Sequence, residues 1–303
     1  MISSVFPSKP TIDQLQEVLL QIFDREISEK HLIYHNRNHI DGVVRRSNQI
    51  FQAIRPHLGV EKDPDQLESL LNLCAVSHDL IQIFTPQSEA NIARRRESGI
   101  SEAATIEVIF NTIQKLNLND QDYIFTDPDL YLIREAILTT SCDYDPMEES
   151  IFQPMLYQEN PVISDIARIL ALADLGTLGI EGIDAYNTEG KLLFLEENLD
   201  IQALIEDPIL TSQILGDPIL SENIRQRLLR RTRFQLNLAK SRLKRCSNEF
   251  SYFPVESIPI LTNEVFKYLT PETIHILEKT TPIQEETSLE TLICFFKFNL
   301  SIG

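Results

Sequence analysis

Apolar residues recur three and four positions apart along most of this 303-residue chain, a spacing that restricts it to amphipathic helices. Leu15, Val18, Leu19, Ile22 and Phe23 form one such stripe behind Thr11, a residue type suited to capping a helix. A second helix is expected from Asn36 or Asn38 to Ile54, with Val43, Ile50 and Ile54 on one side. Leu67, Leu70, Leu71, Cys74 and Ile81 mark a third. Ser101 opens a fourth carrying Ile106, Ile109, Phe110, Ile113 and Leu116. A fifth covers Asp129 to Thr140, and a sixth aligns Ile163, Ile166, Ala167, Leu170 and Leu178. The chain holds 9 glycines and little β-branched alternation, so the pattern reads all-α.

Boundaries follow from turn residues. Asp63-Pro64, Thr85-Pro86, Asp127-Pro128 and Asp145-Pro146 read as turns or helix starts. Glu206-Asp207-Pro208-Ile209-Leu210 and Gly216-Asp217-Pro218-Ile219-Leu220 form a two-copy repeat, too short for a solenoid, and read as two short helix starts. After Arg245 the register breaks, and Pro254, Pro259, Pro271 and Pro282 punctuate a tail with one helix over Pro271 to Lys279. The expected organisation is a helical domain over 1–245 with a C-terminal helical extension, 246–303, packed on it.

The formal charge of −18 argues against a general nucleic-acid binder, which needs a basic surface. It leaves room for a small anionic substrate in a pocket of opposite sign. Cys74, Cys142, Cys246 and Cys294 form no CxxC pair, so reduced thiols are expected. Without a signal-like N-terminus or an 18-residue apolar run, the expected location is the cytoplasm, with no transmembrane segment.

Chemistry enters where polar groups interrupt the apolar stripes. His39 shares a face with Val43, Ile50 and Ile54. His78 lies eleven residues after Leu67, within about 20° of it on a helical wheel, and Asp79 follows directly. Asp174 sits between Leu170 and Leu178. Burying a carboxylate is costly unless a cation or several donors compensate it. One divalent cation bound by His39, His78, Asp79 and Asp174 would settle all of them together. Mixed nitrogen and oxygen ligands suit Mn, Fe, Co, Ni or Zn better than Mg. Taken singly, each residue has a plainer reading, the histidines as hydrogen-bonded core groups and Asp174 as the partner of an arginine.

Tyr34-His35-Asn36-Arg37-Asn38-His39, then Ser77-His78-Asp79, then Ala173-Asp174, resembles the H…HD…D signature of HD-domain phosphohydrolases. The opening is also similar to the catalytic domain of cyclic-nucleotide phosphodiesterases, which shares that helical fold. The resemblance spans roughly residues 30 to 180 and implies an HD-like helical bundle. It implies His39, His78, Asp79 and Asp174 as ligands and His35 as the group protonating a leaving oxygen. It also places Glu102 near the reactive water; the plainer reading is a first-turn carboxylate favoured by the helix dipole, with Ser101 as cap. Arg94, Arg95 and Arg96 offer paired donors for phosphate, or form a solvated run. The segment Leu80-Ile81-Gln82-Ile83 lacks the acids found there in guanosine tetraphosphate hydrolases, and Thr139 to Asp143 lacks the further histidine of binuclear members.

The function so implied is metal-dependent hydrolysis of a small phosphoester, a nucleotide by preference, with Asp79 or Glu102 accepting the proton. Two other readings stay open at this point. One is a non-catalytic HD module binding metal and nucleotide. The other is a helical scaffold, suggested by the basic stretch Arg225 to Arg245, which would dock an acidic partner or an anionic membrane surface or else pair with the chain's own carboxylates. Partners are then a small phosphorylated substrate, with room for a homo-oligomer.

Overall fold

The computed structural model describes residues 12–59, 63–85, 92–117, 125–158, 163–206 and 216–298. They form an all-α fold with one two-stranded hairpin. No described helix is long and apolar enough to cross a membrane. The expected cap Thr11, the pair Thr85-Pro86 beyond its threonine, and the first copy of the Asp-Pro-Ile-Leu repeat lie outside the described residues.

Helices α1 (Ile12–Lys30), α2 (Arg37–Ile54) and α3 (Pro64–Ser77) begin the bundle, followed by α4 (Ile100–Asn117), α5 (Asp127–Thr139) and α6 (Asp165–Asp174). Their starts are set by short polar side chains taking up orphan N–H groups. Asn36 Oδ1 accepts from Asn38 and His39, Asp63 Oδ1 from Asp65 and Gln66, and Thr126 and Asp129 form a capping box. Around these helices Leu15, Phe23, Val43, Ile50, Leu71, Ile109, Ile133 and Leu170 make the main core. Helix α2 packs on both α3 and α6, and α5 packs on α6, so three helices that carry the unusual polar residues are neighbours.

Two expected helices end sooner than the periodicity suggests. The third was extended to Ile81, yet α3 stops at Ser77 and His78 is its C-cap. The sixth was carried through Leu178, yet α6 ends at Asp174, and Leu175-Gly176 lead into the separate α7 (Thr177–Glu181). Asp174 is therefore a helix-terminal residue and not the middle of a stripe. Apolar spacing cannot reveal either break, because the residues beyond each one still face the core.

Beyond α7 come α8 (Ile183–Glu197), α9 (Leu199–Glu206) and α10 (Pro218–Phe250). Asp217 caps α10 with Pro218 in its first turn, so the second repeat copy is a helix start. At 33 residues α10 is about 50 Å long, and it continues five residues past the expected break at Arg245. Most of its basic residues meet the chain's own acids: Arg225 pairs with Glu222, Arg227 with Asp200, Arg233 with Glu285, Lys240 with Glu278, Lys244 with Glu148 and Arg245 with Asp145.

Strands β1 (Asp143–Asp145) and β2 (Ser150–Phe152) pair antiparallel, Tyr144 opposite Ile151. Asp145-Pro146, expected as a turn or a helix start, opens the turn of this hairpin. It forms because Asp145 Oδ1 accepts from Met147 N at 2.9 Å, closing the chain on itself. The tail supplies α11 (Pro271–Thr280) and α12 (Leu289–Phe295). Ile274 and Leu277 pack with Leu178 and Leu236, while Leu292 and Phe296 pack with Phe194 and Leu228.

Candidate metal centre and its cavity

Asn36 fixes the first turn of α2 and so aims His39 inward. His78 and Asp79 stand where α3 ends, and Asp174 is the last residue of α6. One ligand atom from each of the four lies within 4.8 Å of the others. His39 Nε2 and His78 Nε2 each sit 3.1 Å from Asp79 Oδ2 and 3.6 Å from Asp174 Oδ1. Two helix C-termini, each with partial negative charge, converge here with two carboxylates, an arrangement that favours a cation.

The histidines carry the most telling detail. His78 Nδ1 donates to the Ala75 carbonyl at 2.9 Å, which leaves a lone pair on Nε2. Nε2 of both rings is buried and lacks a hydrogen-bond partner, because the approach from the carboxylates is close but off the hydrogen-bond direction. Buried polar atoms are nearly always satisfied, so two orphaned nitrogens facing two carboxylates fit a bound ion. The carboxylates keep 16% and 15% of their side-chain surface, so the cluster opens on one side.

The two carboxylates exert on the rings' own protons the field that any cation there would meet. Burial works against charge on His39, but Asp174 and Asp79 outweigh it and raise the imidazole above its ordinary value. His78 is raised further, burial again being opposed chiefly by Asp79. Burial would raise the carboxyls of Asp79 and Asp174, yet the imidazoles hold both below the ordinary range.

His35 stands just ahead of the helix that carries His39. The second helix, expected from Asn36 or Asn38, begins at Arg37, so His35 belongs to the loop before it rather than to the helical face of His39. Glu196, at the end of α8, holds that loop. Its Oε2 accepts from the N–H groups of Ile33, Tyr34 and His35 at 2.9, 2.8 and 3.0 Å, and its Oε1 lies 2.5 Å from His35 Nδ1. Burial alone would raise this carboxyl; the His35 imidazole and the four bonds bring it down to about 2. His35 Nε2 then points to Asp79 Oδ2 at 3.8 Å.

Glu196 was absent from the sequence reading. A signal existed: two adjacent glutamates at the C-terminal end of a helix oppose its dipole and need a reason to be there. Arg46 was missed as well. Fully buried beneath the cluster, it donates through Nε to the Ala173 carbonyl at 2.7 Å and so braces the turn that presents Asp174.

The three consecutive arginines separate. Arg94 donates to the carbonyls of Glu196, Lys30 and His31 and stacks on Phe84, so it ties together the ends of α8 and α1 rather than facing a ligand. Arg95 is exposed, with its backbone paired to Thr85. Arg96 reaches the site: its Nη1 is 2.9 Å from His35 Nε2 and donates to Gln82 Oε1 at 2.6 Å, and Gln82 in turn donates to Asp79 Oδ1 at 3.0 Å. Glu102 lies in the first turn of α4, its Oε2 buried and unpartnered, and burial raises its carboxyl. Ser101, expected as the helix cap, instead accepts from Ile83 N at 3.0 Å; Thr105 does the same for Ile81 N. These two bonds pin the extended segment after Asp79.

His35, Asp79, Arg96, Glu102 and Asp174 line a cavity of about 780 Å³ whose far wall is α10. Neither a protein-family model, nor a curated protein, nor a solved structure matches the chain. An all-α fold with a His/Asp cluster that could hold a metal is compatible with an HD-like arrangement.

Gly176 makes the turn after Asp174. A Cβ there would stand 2.6 Å from the Leu172 carbonyl oxygen, a backbone atom. Gly176→Ala is expected to lose about 1–3 kcal/mol of stability and to weaken metal retention, read by chemical unfolding and by elemental analysis. A variant as stable and as metal-loaded as the parent would refute this account of the turn.

Proposed function

We propose that this chain is an HD-type metal-dependent phosphohydrolase acting on a small phosphoester of the nucleotide class. What supports the reading is the pair of buried, unpartnered imidazole nitrogens facing Asp79 and Asp174, two carboxylates that line a substrate-sized cavity. His39, His78, Asp79 and Asp174 would hold the ion, and the donor set suits Mn, Fe, Co, Ni or Zn. A cation held there would acidify a water and draw charge from a phosphoryl oxygen.

The residues around it divide the remaining work. Glu102, its carboxyl raised by burial and one oxygen free, is placed to take a proton. Asp79 is less suited to that role, since Gln82 donates to its Oδ1. His35 is held through Nδ1 by Glu196, which turns Nε2 towards the cavity, where the ring, once it has also taken up a proton at Nε2, would hand that proton to a leaving oxygen. Arg96 now donates to that nitrogen and offers the planar paired donors that suit phosphoryl oxygens.

The test is a panel of nucleoside and aryl phosphoesters assayed with Mn²⁺ or Co²⁺ and again after chelation. The expected result is turnover that stops on chelation and returns with the ion. Bound metal without turnover of any panel member would make the chain a binding module; turnover indifferent to chelator would overturn the mechanism.

A further inference from the structure

Seven arginines and six carboxylates line the cavity, although the whole chain carries a formal charge of −18. Two of those carboxylates, Asp79 and Asp174, face the metal centre. Several arginines are structural: Arg94 caps helix ends, Arg227 grips Asn198 and Asp200, and Arg242 pairs with Glu249. The neighbouring pair Arg230 and Arg231 on α10 is different. Arg230 is exposed and forms no ion pair with a described residue. Arg231 donates through Nε to the Gly190 carbonyl at 3.0 Å, lies over the Phe234 ring and forms a long ion pair with Glu197, 3.9 Å from its Nη1 and beyond hydrogen-bond distance.

Glu197 also locates this wall relative to the chemistry. Its carbonyl accepts from Arg94 N at 2.8 Å, so Arg231 and the 94–96 segment meet at one end of α8. From there Arg96 reaches His35, and His35 faces Asp79. The cavity thus runs from the metal ligands, past His35 and Arg96, to α10. One turn beyond Arg231, Gln235 lines the same space with both amide atoms buried and unpartnered. An amide left unsatisfied in a cavity wall points to a polar ligand. Tyr186 and Phe234 add aromatic surface to the lining. A volume of 780 Å³ falls in the range of about 300–1,000 Å³ typical of pockets that enclose whole small molecules.

We propose that Arg230 and Arg231, with Arg95 from the 92–96 segment, form a second anion subsite. It receives a phosphate group of the substrate other than the one attacked at the metal centre. The substrate is then a small molecule phosphorylated at two separated positions, with an apolar or ring-shaped body between them against Tyr186 and Phe234. This deepens the phosphohydrolase reading and rests on it for the identity of the first phosphate, while the subsite itself needs no metal.

The probe is inorganic phosphate titrated calorimetrically into the full-length, metal-stripped chain. The expected result is one saturable site, weakened at least tenfold by Arg230→Glu and by Arg230→Gln with Arg231→Gln. In His78→Ala it should change by less than twofold. Because Arg230 is exposed, its single substitution leaves the fold intact, as circular dichroism would confirm. Absence of saturable binding would overturn the subsite, as would undiminished binding in both arginine variants or a loss specific to His78→Ala. Metal content measured on the same samples separates the two readings. A parent that binds phosphate through the arginines yet holds no metal keeps the subsite and loses the metal centre, and the reverse result does the opposite.

Discussion

His78→Ala protein, purified without chelator, is expected to hold its metal at least about 100-fold less tightly than the parent, since even supporting groups around metal ligands contribute 10–100-fold. The ring supplies one of four converging ligand atoms. Its Nδ1 bond to Ala75 holds the ring in place, so a smaller side chain leaves both a missing donor and an unmet carbonyl. If the phosphohydrolase reading holds, turnover should fall by about 10³-fold or more, the equivalent of about 4 kcal/mol of lost charge stabilisation. Elemental analysis and the phosphoester assay read these separately. Undiminished metal content in His78→Ala would mean that the cluster is not the binding site. The fold should survive, because the core around α3 is built from Leu70, Leu71, Leu73 and Cys74 rather than from the imidazole.

Glu196 gives the second large effect. Its carboxylate accepts three consecutive backbone N–H groups and the His35 imidazole, all from the loop that leads into the metal centre. Glu196→Ala removes every one of those acceptors at once and should cost about 3–5 kcal/mol, since bonds to a charged group are worth about 1.5–3 each and are not additive. Glu196→Gln is the finer test. Its amide oxygen can still receive the backbone donors, but its NH₂ cannot accept from His35 Nδ1. The imidazole must then take the other tautomer, with Nε2–H directed at the Arg96 donor 2.9 Å away. The expected loss is about 1–3 kcal/mol and, if the phosphohydrolase reading holds, a fall in turnover that is steepest for substrates with poor leaving groups. Equal stability of Glu196→Gln and the parent would show that the loop is held by other contacts.

The same carboxylate sets an acid limit on the parent. Its folded value of about 2 lies below the ordinary 4.5. The unfolded chain therefore takes up the proton first as the pH falls. Its stabilising contribution is complete above about pH 4.5 and disappears as the pH falls to 2. The stability gap between parent and Glu196→Gln should accordingly narrow across that window, as chemical unfolding at a series of pH values would show.

The apolar spacing by itself determined that the chain is helical, and it placed α2, α4, α5 and α11 close to their observed limits. Burial is periodic in a helix, so a stripe such as Ile106-Ile109-Ile113 is readable without a partner. His39, His78 and Asp174, polar groups in register with apolar neighbours, were legible too, because a charge turned towards an oily interior is costly wherever the partner stands. Tertiary structure decided the rest. The stops of α3 at Ser77 and of α6 at Asp174 came from the approach of other helices, with Ser101 and Thr105 of α4 holding the segment after Asp79 and Arg46 of α2 bracing Ala173. Glu196 acts on a loop some 160 residues away, and α10 lies against the cavity from the far side of the chain. Contacts at such separations leave no local period, and the direction in which a side chain points at the end of a helix is fixed only by what packs around it.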